Sequence, residues 1–242
     1  MKISAKTDVG KVRSSNQDSY AAGDLTSEVS WAVVCDGMGG ANGGNVASEA
    51  AVRVISDKLK SGYHIGMNDN SIKHLLVSAV EAANITLYTM ARGKEELQGM
   101  GTTVVIAVRN SDTLYLANVG DSRIYVVSDS GIVQITTDHS VVQLMIDKGE
   151  ISPEEAKDHP KKNVITRALG VDPEVRIDYS QEQLNDGDIV LLCTDGLTNY
   201  VDDEDIFEVC KNEDRYNIAD KLVDLANENG GGDNITVVTV CE

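Results

Sequence analysis

Short apolar runs separated by polar breaks dominate the chain, and they predict strands. Lys2–Asp8 and Ser30–Cys35 come first, with a Gly-rich turn after the second. Closely spaced runs follow at Thr102–Arg109, Thr113–Val119, Arg123–Val127 and Ile132–Thr136. The breaks between them are Asn110-Ser111-Asp112, Gly120-Asp121-Ser122 and Asp129-Ser130-Gly131. Polar breaks that short between β-rich runs predict antiparallel hairpins. The run TTVVIAV does not alternate, so its strand should be covered on both faces. Further strands are expected at Glu174–Asp178, Asp188–Thr194 and Ile235–Cys241.

Helical periodicity occurs in two separate batches. The first covers about Asn45–Lys60 and then Ile72–Met90, where Ile72, Leu75, Leu76, Ala79, Val80, Ala83, Leu87 and Met90 fall on one face. The second covers Asp203–Cys210 and Asn217–Asn229. A mixed stretch runs from His139 to Arg167, and within it Ser152-Pro153-Glu154-Glu155 has the form of a capping box with Pro at the first helical position. Hairpin strands with segregated helices do not give regular βαβ alternation. They predict a β-sandwich with helices packed outside, Ile72–Met90 on one sheet and Ile218–Ala226 on the other.

Composition narrows the class. The 242 residues carry a formal charge of −18, which disfavours nucleic acid or an anionic membrane surface as partner. No apolar stretch approaches the roughly 20 residues of a membrane span, and the start MKISAKTDVG has no apolar core of a secretory signal. Cys35, Cys193, Cys210 and Cys241 form no CxxC pair and read as buried free thiols in a reducing compartment. The expected location is cytoplasmic. Nothing marks a boundary, so residues 1–242 read as a single domain.

The candidate chemistry is acidic. WAVVCDGMGG runs apolar to Asp36-Gly37, and DIVLLCTDGL runs apolar to Asp195-Gly196. Each places a carboxylate where a buried strand emerges, although Asp-Gly is also a common turn pair. Asp18 leads into a short strand, and three glycines precede Asp233 just before the final one. If Asp18, Asp36, Asp195 and Asp233 converge, they could not all stay ionised unaided. Carboxylate and carbonyl donors without His or Cys select Mg²⁺ or Mn²⁺ over zinc. A pair of such ions hydrolyses phosphate esters by activating water, and Arg13 offers a planar fork to phosphate oxygens.

These segments together resemble the metal-dependent protein serine/threonine phosphatases of the type 2C class, in their compact bacterial form. The matching motifs are RSSNQD (13–18), VVCDGMGG (33–40), GTTVV (101–105), ANVGDSR (117–123), TTDHS (136–140), VITRALG (164–170), LLCTDGL (191–197) and GGDNITVV (231–238). The resemblance implies an αββα sandwich, two antiparallel sheets flanked by helices, with two Mn²⁺ or Mg²⁺ ions and a possible third. It implies that Asp36 bridges the metals with the Gly37 carbonyl on one of them, that Asp195 and Asp233 complete the other, and that Asp18 acts through water. It implies that Arg13 holds substrate phosphate, that Asp121 shares a third ion with Asp195, and that residues 139–167 form a flap beside the site. The expected partners are phosphorylated proteins and a cognate serine/threonine kinase, with the enzyme a monomer. Where many eukaryotic-type members have His after the metal-binding Asp-Gly, this chain has Met38, so the proton for the leaving group is expected from a metal-bound water.

Other readings fare worse. A dinucleotide fingerprint at Gly37–Gly43 lacks the later strand ending in an acid. Asp138-His139-Ser140 has the letters of a hydrolase triad, but adjacent residues cannot form that geometry, and a cap at a helix start suits them better. A catalytically inactive phosphoprotein-binding module is disfavoured by the intact acidic set, and a two-metal nuclease by the charge.

Overall fold

The computed structural model describes residues 1–39 and 43–241. Two sheets form its centre, and every pairing in them is antiparallel. One contains β1 (Lys2–Asp8), β11 (Ile235–Cys241), β10 (Ile189–Cys193), β7 (Arg123–Ser128) and β8 (Gly131–Gln134), in that spatial order. The other contains β2 (Asp18–Asp24), β3 (Val29–Met38), β5 (Val104–Asn110), β6 (Thr113–Val119) and β9 (Asp178–Gln183), with β4 (Gly101–Thr102) on the far end of β3.

The alternation of residues within the apolar runs builds four layers. On β3, Ala32 and Val34 point between the sheets, where they meet Val190, Leu192 and Val238 of the opposite sheet. Trp31 and Val33 point the other way, into a core with Ile55 and Leu59 of α1 (Gly43–Gly62) and Ile72 and Leu76 of α2 (Asp69–Gly93). On the opposite sheet, Leu191 and Cys193 turn outward to Ile206 of α6 (Asp203–Asn212) and Leu222 of α7 (Ile218–Glu228). Strands covered on both faces need apolar residues at every position, so the runs do not alternate. The αββα sandwich and both helix placements expected from the sequence are observed. All four cysteines are buried and free.

Two details depart from expectation. The strand expected at Glu174–Asp178 lies instead at Asp178–Gln183. Val175 and Ile177 do pack against the helix-side core, which produced the apolar signal, but their backbone is irregular. The actual strand, DYSQEQ, is a polar edge strand whose register is set by β6. The run Thr102–Arg109 is split, because Thr103 leaves the ladder to contact Asp36. The Gly-rich turn expected from the sequence includes Gly40, Ala41 and Asn42, which lie outside the described residues.

Residues 139–167 carry two short helices, α3 (Val141–Asp147) and α4 (Pro153–Lys157). Ser140 caps the first through Gln143 N–H at 3.2 Å, as expected of the DHS segment. The capping box at Ser152 and Glu155 is present with both bonds. The ends of the stretch meet at a Ser140–Ile165 bridge, so it forms a closed excursion from the sandwich. α5 (Asp195–Thr198) completes the helices.

Leu192 is fully buried between the sheets and does not line the carboxylate cavity. Leu192→Ala should lower unfolding free energy by about 2–5 kcal/mol, through lost burial and the cavity left behind. Urea unfolding followed by circular dichroism reads this; a change under ~0.5 kcal/mol would mean that the inter-sheet layer is not the tight core described.

Candidate metal centre

The strand register forces the first two carboxylates together. Asp18 opens β2 and stands directly opposite Asp36 on β3. Like charges opposed across strands destabilise a sheet, so this pairing needs compensation. β3 is held at that point by its neighbours. Asp36 N–H donates to Thr103 Oγ1 at 2.9 Å, and Asp36 O accepts from Thr103 N–H at 2.9 Å and Thr102 Oγ1 at 2.8 Å.

The glycine after each acid serves close packing. A Cβ on Gly37 would lie 2.0 Å from Gly44 O and 2.6 Å from Gln17 O. A Cβ on Gly196 would lie 1.9 Å from Asn234 O. Neither Asp-Gly is therefore a simple turn: Gly37 lies within β3 and Gly196 within α5, and backbone presses against backbone at both. Asp195 begins α5 and accepts from Asn199 Nδ2 at 3.0 Å.

Asn234 ties the remaining segments to this edge. Its Oδ1 accepts from Gln17 N–H at 2.8 Å, and its Nδ2 donates to Val9 O and Ser15 O at 3.0 Å each. The loop bearing Arg13 is thereby fixed to the start of β11. Arg13 Nη2 donates to Asp233 Oδ2 at 2.8 Å.

A cavity of about 290 Å³ opens at this edge, and Arg13, Asp36, Gly37, Asp121, Asp195 and Asp233 all line it. Asp18 lies behind it, 7% exposed. Asp18 Oδ2 accepts from Thr194 Oγ1 at 2.9 Å and Thr236 Oγ1 at 2.7 Å, while the equally buried Oδ1 has no partner. Burial first, and then the neighbouring charges, disfavour ionisation here. Asp18 is pushed up to about 7 by burial, partly offset by its two hydroxyl donors and reinforced by Asp195. Burial and the Asp195 charge push Asp121 up to about 8. Burial and Asp18 hold Asp36 well above the usual carboxylate range, and burial and Asp233 raise Asp195. Arg13 is raised too, which for a guanidinium favours the charged form, first through its hydrogen bond to Asp233.

The Protein phosphatase 2C family model matches residues 10–225. The chain belongs to the protein phosphatase 2C family. The Serine/threonine phosphatase stp of Listeria innocua is 38% identical over 97% of this chain and 93% of its own length. The S. agalactiae serine/threonine phosphatase structure superposes with a TM-score of 0.92 at 33% identity, covering 100% of this chain and 99% of its own. The catalytic domain of the serine/threonine protein phosphatase PstP, solved in complex with 2 manganese ions, has a TM-score of 0.85 at 33% identity, covering 98% and 96%.

The donor set fits a metal-dependent centre of this family. It is built of oxygen atoms, it concentrates buried negative charge, and it holds an unpartnered carboxylate oxygen on Asp18. Arg13 is the one basic side chain lining the cavity among the described residues. Among the described residues, no three carboxylate, imidazole or thiol groups already close on one point. A cation here would therefore take carbonyl and water oxygens as well, which hard divalent ions accept.

Sequence reading missed Thr103, Thr194, Thr236 and Asn234. Only Asn234 carried a signal, its place directly after Gly232-Asp233.

Metal-free protein should become more stable as pH falls from 8 to 5.5. Unfolded aspartates stay ionised over that window, whereas Asp121 and Asp18 in the fold take up protons near 8 and 7, so the native state binds more protons. The melting temperature in chelator reads this. Manganese should raise it more at pH 8 than at pH 5.5; a pH-independent difference would count against buried carboxylates binding the ion.

Proposed function

We infer that this chain is a metal-dependent protein phosphatase that hydrolyses phosphoserine and phosphothreonine in proteins, opposing a serine/threonine protein kinase. The observation that carries the reading is the convergence of Asp36, Asp195, Asp233 and Arg13 on one cavity in a protein phosphatase 2C fold. The residues that would hold two ions, Mn²⁺ or Mg²⁺, are Asp36 as the bridge, the Gly37 carbonyl, Asp195 and Asp233. Asp18 would act through water, and Asp121 with Asp195 would hold a third ion. A divalent pair, when bound, lowers the pKa of water and stabilises charge on phosphoryl oxygens.

The chain's own groups supply orientation. Arg13 is half-exposed, so its guanidinium can leave Asp233 and present two donors to the substrate phosphate. Met38 lines the cavity where a proton donor would otherwise stand, and a thioether cannot donate. On this reading the proton for a serine leaving group is supplied by a metal-bound water.

A larger cavity of about 750 Å³ adjoins the first and shares Asp121, Asn163 and Asp195 with it. Its walls are the 139–167 stretch on one side and residues 198–204 on the other, joined by Lys157 Nζ to Asp202 Oδ1 at 2.8 Å. A cleft this size beside the phosphate site suits the peptide chain of a protein substrate, and residues 139–167 act as its flap. The rest of the reading is a cytoplasmic monomer of a single domain. No helix of the described residues is long and apolar enough to cross a membrane.

Phosphopeptide hydrolysis should stop in chelator and return on adding Mn²⁺. Asp36→Asn should abolish it while retaining the native circular dichroism spectrum; turnover without metal, or by that variant, would overturn the reading and favour a different site. Arg13→Ala should raise KM for a phosphopeptide with kcat changed less, because its contact is made in the ground state too. A pure loss of kcat would place Arg13 in the transition state alone.

With water as the proton donor, aryl phosphates should show a weaker alkaline fall in rate than phosphoserine peptides, since their leaving group needs no proton. Identical pH–rate profiles for the two substrates would refute this.

A further inference from the structure

His139 lies outside the carboxylate cluster, is 5% exposed, and bonds to Gly120, Thr166 and Asp178 at the base of the flap. Its backbone N–H donates to Gly120 O at 2.9 Å, and Gly120 N–H donates to its Nδ1 at 3.0 Å. Gly120 is thus gripped from both of its polar groups by one residue. The next residue is Asp121. On the other side the same turn packs on Thr103: a Cβ on Gly120, whose φ is +111°, would lie 2.6 Å from Thr103 Cβ. Thr103 Oγ1 also meets Ser122 Oγ at 2.7 Å. The turn is therefore held between the clamp on Asp36 and the imidazole.

The rest of His139 faces the other end of the flap. Its carbonyl accepts from Thr166 N–H at 2.7 Å. Its Nε2 lies 3.2 Å from Asp178 Oδ2, and Arg167 Nη1 donates to Asp178 Oδ1 at 2.8 Å. The geometry fixes the tautomer. A Nδ1 that accepts from Gly120 carries no proton, so the neutral ring holds its proton on Nε2 and donates it to Asp178. Arg167 Nη1, 3.0 Å from the same nitrogen, then serves Asp178 and not the ring.

We propose that His139 is a positioning residue for Asp121, transmitting the placement of the flap's two ends through Gly120 to the carboxylate beside it. The proposal rests on the reading of Asp121 as an ion ligand. Its consequence is that the flap and the ion held by Asp121 and Asp195 are not independent: displacing one disturbs the other.

Two polar variants separate the bond to Gly120 from mere packing. In His139→Asn the amide oxygen can occupy the place of Nδ1 and keep the bond. In His139→Gln the longer amide reaches towards Asp178 and leaves Gly120 N–H without its acceptor. Calorimetric Mn²⁺ titration of the full chain should show the weakest binding step close to wild type in His139→Asn. In His139→Gln it should weaken about tenfold, the effect of one buried donor left unsatisfied. The Gly120 amide resonance should keep its position in the first variant and move in the second, and the wild-type ring should show the Nε2–H tautomer in ¹⁵N spectra. The reverse order of the two variants, equal isotherms in both, or a protonated Nδ1 would overturn the proposal. Asp121→Ala is the control: it should lose that weakest step, and an unchanged isotherm there would refute Asp121 as a ligand and the proposal with it.

Discussion

The constraint on which this structure turns is the repulsion among the buried and half-buried carboxylates that the fold forces together at one edge. Asp18 and Asp36 face each other across β2 and β3, and neither can move without shifting a ladder that runs back through Val34 and Ala32 into the inter-sheet core. Asp195 is fixed by the end of β10, and Asp233 by the entry to β11. A surface cluster would relax by rotating its side chains into water. Here the backbones are locked by Gly37 against Gly44 and by Gly196 against Asn234, at distances that admit no side chain. The apolar layers therefore stabilise an arrangement that electrostatics alone opposes, and divalent cations are the partners that reconcile the two.

Much of this was legible in the sequence, for a physical reason. A strand covered on both faces writes a continuous apolar run, and the first charged residue after that run marks where the strand leaves the core. WAVVCD and DIVLLCTD both record such exits, and both acids line the cavity. The periodic face of α2 was equally plain, because one side packs on a sheet and the other on solvent. Elements that owe their form to a neighbour were not legible. β9 has no apolar pattern of its own and takes its register from β6, so the nearby Val175 and Ile177 drew the expected strand several residues too early. The sequence also could not show that the glycines of Asp-Gly serve backbone contact: a turn and a close approach use the same residue.

The hydrogen-bonding groups around the carboxylates form a second category of hidden information. Thr103, Thr194 and Thr236 sit in or beside strands, where Thr is an ordinary residue chosen for its branched shape. Their hydroxyls nonetheless set the site: one fixes the Asp36 backbone, and two converge on a single oxygen of Asp18. They satisfy Oδ2 and leave Oδ1 unbonded, so the carboxylate is oriented but not saturated. That division keeps one oxygen available to a water or an ion while preventing rotation of the group.

The strong acidity of the chain and the chemistry of its cavity then belong to one design. With a formal charge of −18, the protein repels polyanions at long range, yet its substrate carries a phosphate. Selectivity between a nucleic acid and a phosphorylated protein follows from where the positive charge resides. On the proposed reading, metal ions and Arg13 would confine it to one small cavity, which suffices for a single phosphoryl group and offers no basic track to an extended backbone. On the same reading the adjoining cleft would meet the remainder of the substrate with mostly uncharged and acidic groups; of its bases Arg123, Lys157 and Lys162, Lys157 is paired with Asp202 and Arg123 with Asp138. So read, the phosphate would be recognised through a local reversal of the protein's own field, and the polypeptide around it through shape.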